Sequence, residues 1–188
     1  MADTPLNADW GKDVLHFWYE ELTPEDWYGG AADVDERIKA RFGDLPGRLA
    51  RQLPPQVMTD PMAALAAIIA LDQFPRNIYR RKPEAFATDD LAASITRNAL
   101  DKELDAGLPT AQRQFLYMPL MHSEVLADQE RCVDLFKALG SEEGVKYAVE
   151  HRDIIARFGR FPHRNRVLER ETTEEEAAFL ETHDGYGQ

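Results

Sequence analysis

Three stretches of the chain hold side chains whose types and spacing could do chemistry: Asp72 to Asn77 (DQFPRN), Met121 to Glu124 (MHSE) and His151 to Asn165 (HRDIIARFGRFPHRN). Asp72 lies one helical turn beyond Ile69 and two beyond Leu65, on a stripe that faces protein. An unpaired carboxylate there would cost several kcal/mol, so a cation must answer it. Arg76, Arg80 or an arginine of the third stretch could do so, either as an ion pair locking a turn or as part of a ligand site.

His122, on a helix beginning near Leu120, shares a face with Val125, Leu126, Gln129, Val133 and Phe136, so it is expected to point inward. Glu124 falls about 200° away around the same helix, so His-Ser-Glu is neither a chelate nor a triad by spacing. His151 repeats the pattern on a face with Tyr147, Ile154, Ile155 and Phe158. An imidazole titrates near neutrality, which makes His122 and His151 the candidate proton carriers. Asp72 or Glu124 would orient them, and Glu124 stands as a third catalytic candidate.

The third stretch crowds Arg157, Arg160, His163 and Arg164 around a helix stop and a proline turn. A guanidinium fork suits carboxylate or phosphate, and two phenylalanines among the cations argue for an anchored turn rather than a loose one. The candidate ligand-binding set is therefore Asp72, Arg76, Asn77, Arg157, Arg160, His163, Arg164 and Asn165, and the ligand class a small anionic metabolite. Counting from Ile68, just before the first stretch, the same order, Ile-Ile-Ala then Phe-Pro then Arg-Asn, recurs in the third. It reflects duplicated helix pairs or similar turn chemistry. If there is a site, the two turns should face each other across it; a solvated basic loop is the alternative.

Helices must position these groups. Asp60-Pro61 is an N-cap followed by proline at the first helical position, and the helix that follows, PMAALAAIIAL, is apolar on every face. It should end at Pro75, which lacks the N–H a helix needs. Asp89 or Asp90 opens another helix, Pro119 should interrupt the one after it, and Ser141 and Gly159 bracket a long one. Thr172 to Glu175 fits a capping box, with Glu174 to Glu176 read as a solvated helix start. Strand alternation is absent. The expected fold is all-α, about eight helices in antiparallel pairs around a buried central helix, in one domain over residues 1–188 with short polar tails.

The net charge of −12, from 34 acidic against 22 basic residues, disfavours nucleic acid and anionic membrane surfaces. The single cysteine, Cys132, allows no intrachain disulfide, and no secretory leader opens the chain, so a cytoplasmic location is expected. Gly-rich phosphate loops, paired cysteines and zinc-protease spacing are missing, and neither a metal nor a cofactor is expected.

The segments FWYEEL, LDQFPRNIYR, AFATD, FLYMPLMHSE with QER, and HRDIIARFGRFPHRN occur in an order that resembles the bacterial domain-of-unknown-function family 924, from about Val14 to Leu180. The resemblance implies an all-helical fold similar to tetratricopeptide-like arrays, and no activity comes with it. Such arrays suggest a second class of function, a module binding a peptide or protein through an exposed groove near Trp10, Trp27 and Tyr28.

Overall fold

The computed structural model describes residues 6–28, 32–183 and 185, and the expected polar tails fall partly outside them. The described residues are helical, with no strand among them. Helix α1 (Trp10–His16) runs on as a π turn over Phe17–Glu21, and is followed by α2 (Pro24–Tyr28), α3 (Ala32–Phe42) and α4 (Leu45–Arg51). The central rod is α5 (Pro61–Ile68), a π turn (Ile69–Gln73) and α6 (Phe74–Ile78). Then come α7 (Asp89–Asp101), α8 (Thr110–His122), α9 (Leu126–Leu139), α10 (Glu142–Phe158) and α11 (Glu174–Leu180).

The rod begins as its sequence requires. Asp60 accepts a hydrogen bond from the Ala63 amide at 2.7 Å, and Pro61 takes the first turn, where its missing N–H costs nothing. Every residue from Ala64 to Asp72 is shut off from solvent, with α1, α7 and α8 packed on α5. At about 1.5–3 kcal/mol for each buried Leu or Ile, Leu65, Ile68, Ile69 and Leu71 make this a strongly hydrophobic element.

The rod does not stop at Pro75. The backbone widens into a π turn before the proline, and Pro75 then sits in the first turn of α6. The carbonyl that Pro75 cannot serve, that of Leu71, accepts the Thr88 hydroxyl from the start of α7 instead. A satisfied carbonyl removes the reason for the helix to end, and it carries Asp72, Arg76 and Asn77 on one continuous element.

Pro119 likewise lies inside α8, and the break comes later, at Ser123. The Gln129 side-chain amide caps that end, donating to the Met121 and Ser123 carbonyls at 2.7 and 2.6 Å. His122 is therefore the last residue of α8 rather than part of one face with Val125 and Leu126, both of which are exposed. Ser141 caps α10 through the Gly144 amide, and Gly140 and Gly159 close α9 and α10 in left-handed conformation. The capping box is one residue later than the sequence suggested, Thr173 with Glu176, and Glu176 is buried rather than solvated. It receives Arg160, Asn165 and the Thr173 amide, which accounts for its burial.

Consecutive helices α7, α8, α9 and α10 pack side by side across short connections. One cluster of buried side chains extends from Trp10 to Ala148, and a smaller one, Ile154, Ile155 and Phe161 with Phe158 and Phe179, seats the C-terminal segment.

Candidate functional site

A cavity of about 640 Å³ opens between the end of the rod, α2, and the flanks of α8, α9 and α10. Gln73, Arg76, His122 and His151 line it from within; Trp27, Tyr28, Phe86, Met118, Phe136 and Tyr147 form apolar walls; Arg80, Arg81 and Glu143 are also part of the lining.

Asp72 is at the centre of the polar part. Its carboxylate is fully buried and faces His122 Nδ1 at 2.8 and 3.0 Å, accepts from Gln73 Nε2 at 2.6 Å, and lies 3.3 Å from Arg76 Nη1. Burial works against its charge, but the Arg76 guanidinium and His122 hold the carboxyl below the usual carboxylate range. An ionised Asp72 can only accept, so His122 must donate Nδ1–H, and the Nε2 lone pair is left for the cavity. Burial, assisted by Arg76, lowers the proton affinity of His122 despite Asp72, and the resting imidazole is neutral. His151 lies with its ring centroid 6.4 Å from that of His122 and its Nδ1 2.8 Å from the Tyr147 carbonyl. Burial and then His122 push its pKa down to about 3.

Arg76 is shared. Besides Asp72 it meets Asp89 with both terminal nitrogens, at 2.8 and 2.9 Å, and donates to the Asp72 carbonyl at 2.6 Å. Asp89 also accepts from Arg164 Nη1 at 3.2 Å. The Arg164 guanidinium is buried between the rings of Phe86 and Phe161, 4.6 and 4.5 Å from their centroids. Burial lowers its pKa to about 10, with Asp89 opposing. The two Phe-Pro turns do meet, at Asp89, but behind the cavity rather than across it. Their conformations also differ, α-helical after a π turn in the first and 3₁₀ (Pro162–Arg164) in the second, so the shared spelling reflects turn chemistry more than a copied unit.

The remaining sequence candidates sit elsewhere. Asn77 lines the cavity and donates to Asp35 at 2.8 Å, and Arg80 donates to the same carboxylate at 2.9 Å. Glu124 faces away from His122, accepting the Phe161 amide at 2.9 Å and Arg170 at 2.8 Å. Arg157 pairs with Glu175, and Arg160 with Glu176 and the Glu171 carbonyl, both fastening α11. Asn165 donates to Glu176, and His163 packs between Phe161 and His183. None of these five lines the cavity; Arg157 in the last turn of α10 and Arg160, just past the left-handed Gly159, both reach α11, and His163 and Asn165 follow in the turn beyond. Among the described residues no group of three or more His, Cys, Asp or Glu is placed to hold a metal.

Sequence reasoning read Asp89 only as a helix start and Tyr147 as packing, although Tyr147 is 42% exposed and lines the cavity. Phe86, Thr88 and Asp89 all lie in the AFATD segment, so a polar pair after an isolated Phe and ahead of an apolar helix was the available signal.

Together these features define an all-helical protein with a cavity floored by an aspartate-held histidine and a shared arginine. The chain belongs to the family described as bacterial protein of unknown function (DUF924), whose model matches residues 14–184. It is also similar to the solved structure of a protein of unknown function from Agrobacterium tumefaciens, with 38% identity and a TM-score of 0.86 over 92% of this chain and 97% of that one. No curated protein matches the chain.

Proposed function

We propose that the cavity binds a small organic anion, a carboxylate or phosphate bearing an apolar body, and that His122 exchanges a proton with it. The observation that carries this reading is the Asp72–His122 contact on the cavity floor, which fixes one imidazole nitrogen and leaves the other basic. A base in this arrangement takes a proton on Nε2, and the imidazolium formed is stabilised by the carboxylate on Nδ1. Arg76 keeps that carboxylate ionised. The anionic group has Arg81 to meet it: Arg81 lines the cavity, is exposed, has no partner among the described residues and is held at φ 61°, a left-handed conformation costly for a side chain of this kind. The aromatic and methionine walls offer an apolar surface to a carbon framework. No helix of the described residues is long and apolar enough to cross a membrane, and the lone buried Cys132 accords with a cytoplasmic setting.

The test is thermal unfolding in the presence of benzoate, hexanoate, indole-3-carboxylate and inorganic phosphate. A ligand at about a hundred times its dissociation constant stabilises the fold by about 2.7 kcal/mol. At this chain length that is a rise in Tm of about 5–10 °C. Stabilisation should vanish in Arg81→Ala; no rise with any organic anion, or one untouched by that change, refutes the reading.

Tyr28, 65% exposed, and Tyr147 favour a second reading, in which an apolar side chain of a protein partner enters the cavity, as on tetratricopeptide-like arrays. Reproducible co-purification of one partner, lost in Tyr147→Ala, would favour it over the first.

A further inference from the structure

The turn at Phe161–Arg164 reaches His122 by two separate routes. Along one, Arg164 contacts Asp89, Asp89 holds Arg76, and Arg76 stands beside the Asp72 carboxylate that fixes His122. Along the other, the Phe161 amide donates to Glu124, two residues beyond His122 and just past the end of α8. Between the routes, the Phe161 ring meets His151 edge-on at 5.5 Å, and His151 faces His122. Arg164 is only 5% exposed, so this ionic chain is built into the interior. Stability alone does not call for it, since apolar replacements of buried ion pairs are often neutral or stabilising.

We propose that Arg164 and Asp89 are positioning residues for His122, acting through Arg76 and Asp72 to keep its proton on Nδ1 and its Nε2 lone pair toward the cavity. The inference rests on the reading of His122 as the base. Arg76 is the divider: Asp89 draws one edge of its guanidinium, and Arg164 sets how strongly Asp89 draws. Without Asp89 the whole fork turns to Asp72 and competes with His122 for the carboxylate oxygens. Without Arg164 the full charge of Asp89 falls on Arg76, and Asp72 is left to His122. Successive members of the chain therefore act on His122 with opposite sign. The charged and titratable groups facing His122 are Asp72 from the π turn, Arg76 from α6, Asp89 from α7 and His151 from α10, with His163 and Arg164 behind.

The experiment is ¹⁵N spectroscopy of the histidines in the full chain, with His122→Gln identifying the His122 signals. Asp89→Asn should lower the fraction carrying the proton on Nδ1 and lower the midpoint of His122 protonation. Arg164→Met should raise the midpoint, each change being about half a pH unit or more for charges removed at this range. If Arg164→Met does not fold, Arg164→Lys, which keeps the charge but withdraws the planar fork, should show the same sign at smaller size. Folded variants with wild-type tautomer and midpoint, or both midpoints moving the same way, overturn the proposal. The readout needs no ligand, so a failure of anion binding with these shifts intact would count against the proposed function and not against the positioning chain.

Discussion

Replacing Asp89 by asparagine separates an ion network that holds the site from one that decorates it. In the wild type Asp89 is 9% exposed and answers two buried guanidinium groups, Arg76 with both terminal nitrogens and Arg164 with one. Removing one partner from a buried pair costs about 3–5 kcal/mol, because the remaining charge stays buried and unanswered. Arg76 keeps Asp72 at 3.3 Å, so most of the loss falls on Arg164, whose contacts with Phe86 and Phe161 exist already and add nothing new. About 4 kcal/mol is expected, a large share of the 5–15 kcal/mol that holds a typical domain, and a fall in Tm of about 8–16 °C. The position of Asp89 at the start of α7 accounts for no more than about 1 kcal/mol of this. Exposed Asp90, its neighbour at the same helix end, is the control and should cost less than that. Urea unfolding followed by far-UV circular dichroism gives the values. The double variant Asp89→Asn, Arg164→Met should recover about 2 kcal/mol by removing the stranded cation. A loss below 1 kcal/mol in Asp89→Asn, or additive losses in the double variant, would refute the reasoning.

Gly144→Ala should destabilise the fold by about 1–3 kcal/mol, since the new Cβ would lie 2.3 Å from the Phe136 ring, and the gain in helix propensity of about 1 kcal/mol does not offset that overlap; a Tm at or above wild type contradicts it. His151 is neutral in the fold with its pKa lowered to about 3, so its contribution is complete above about pH 6.5 and is lost as pH falls toward 3. By pH 5 it should account for about 2 kcal/mol of lost stability, and His151→Asn should flatten that slope in chemical denaturation run from pH 7 to 5. Glu176→Gln should release the C-terminal segment, because Arg160, Asn165 and the Thr173 amide all converge on its carboxylate. Faster proteolysis within residues 166–180, with α7–α9 amides still protected from exchange, is the expected outcome, and unchanged cleavage would contradict it.

The helices were legible because their ends are written in local chemistry. Asp60-Pro61, Ser141 and Gly159 act within one turn of where they stand, and the all-apolar run after Pro61 could only be a covered rod. Both prolines misled. Whether Pro75 ends a helix depends on whether the freed carbonyl finds another donor, and for Leu71 that donor is Thr88, seventeen positions away. The site was legible where burial forces pairing: an inward Asp72 needed a cation, and Arg76 was within one turn. It was not legible where residues of equal type part ways. Arg157, Arg160 and Arg164 look alike in sequence, but Arg157, in the last turn of α10, and Arg160, past the left-handed Gly159, reach α11, whereas the 3₁₀ turn carries Arg164 to Asp89. Asp89 itself had an adequate local explanation as a helix start, which concealed its longer-range one.

The most direct test of the account is the state of His122 itself, read from its ring nitrogens by ¹⁵N spectroscopy at pH 7 with and without an organic anion. The account predicts a neutral ring with the proton on Nδ1, and an Nε2 signal that moves when benzoate or hexanoate enters the cavity while Nδ1 stays bound to Asp72. A proton resting on Nε2, or an Nε2 signal indifferent to every anion that raises the Tm, would contradict it.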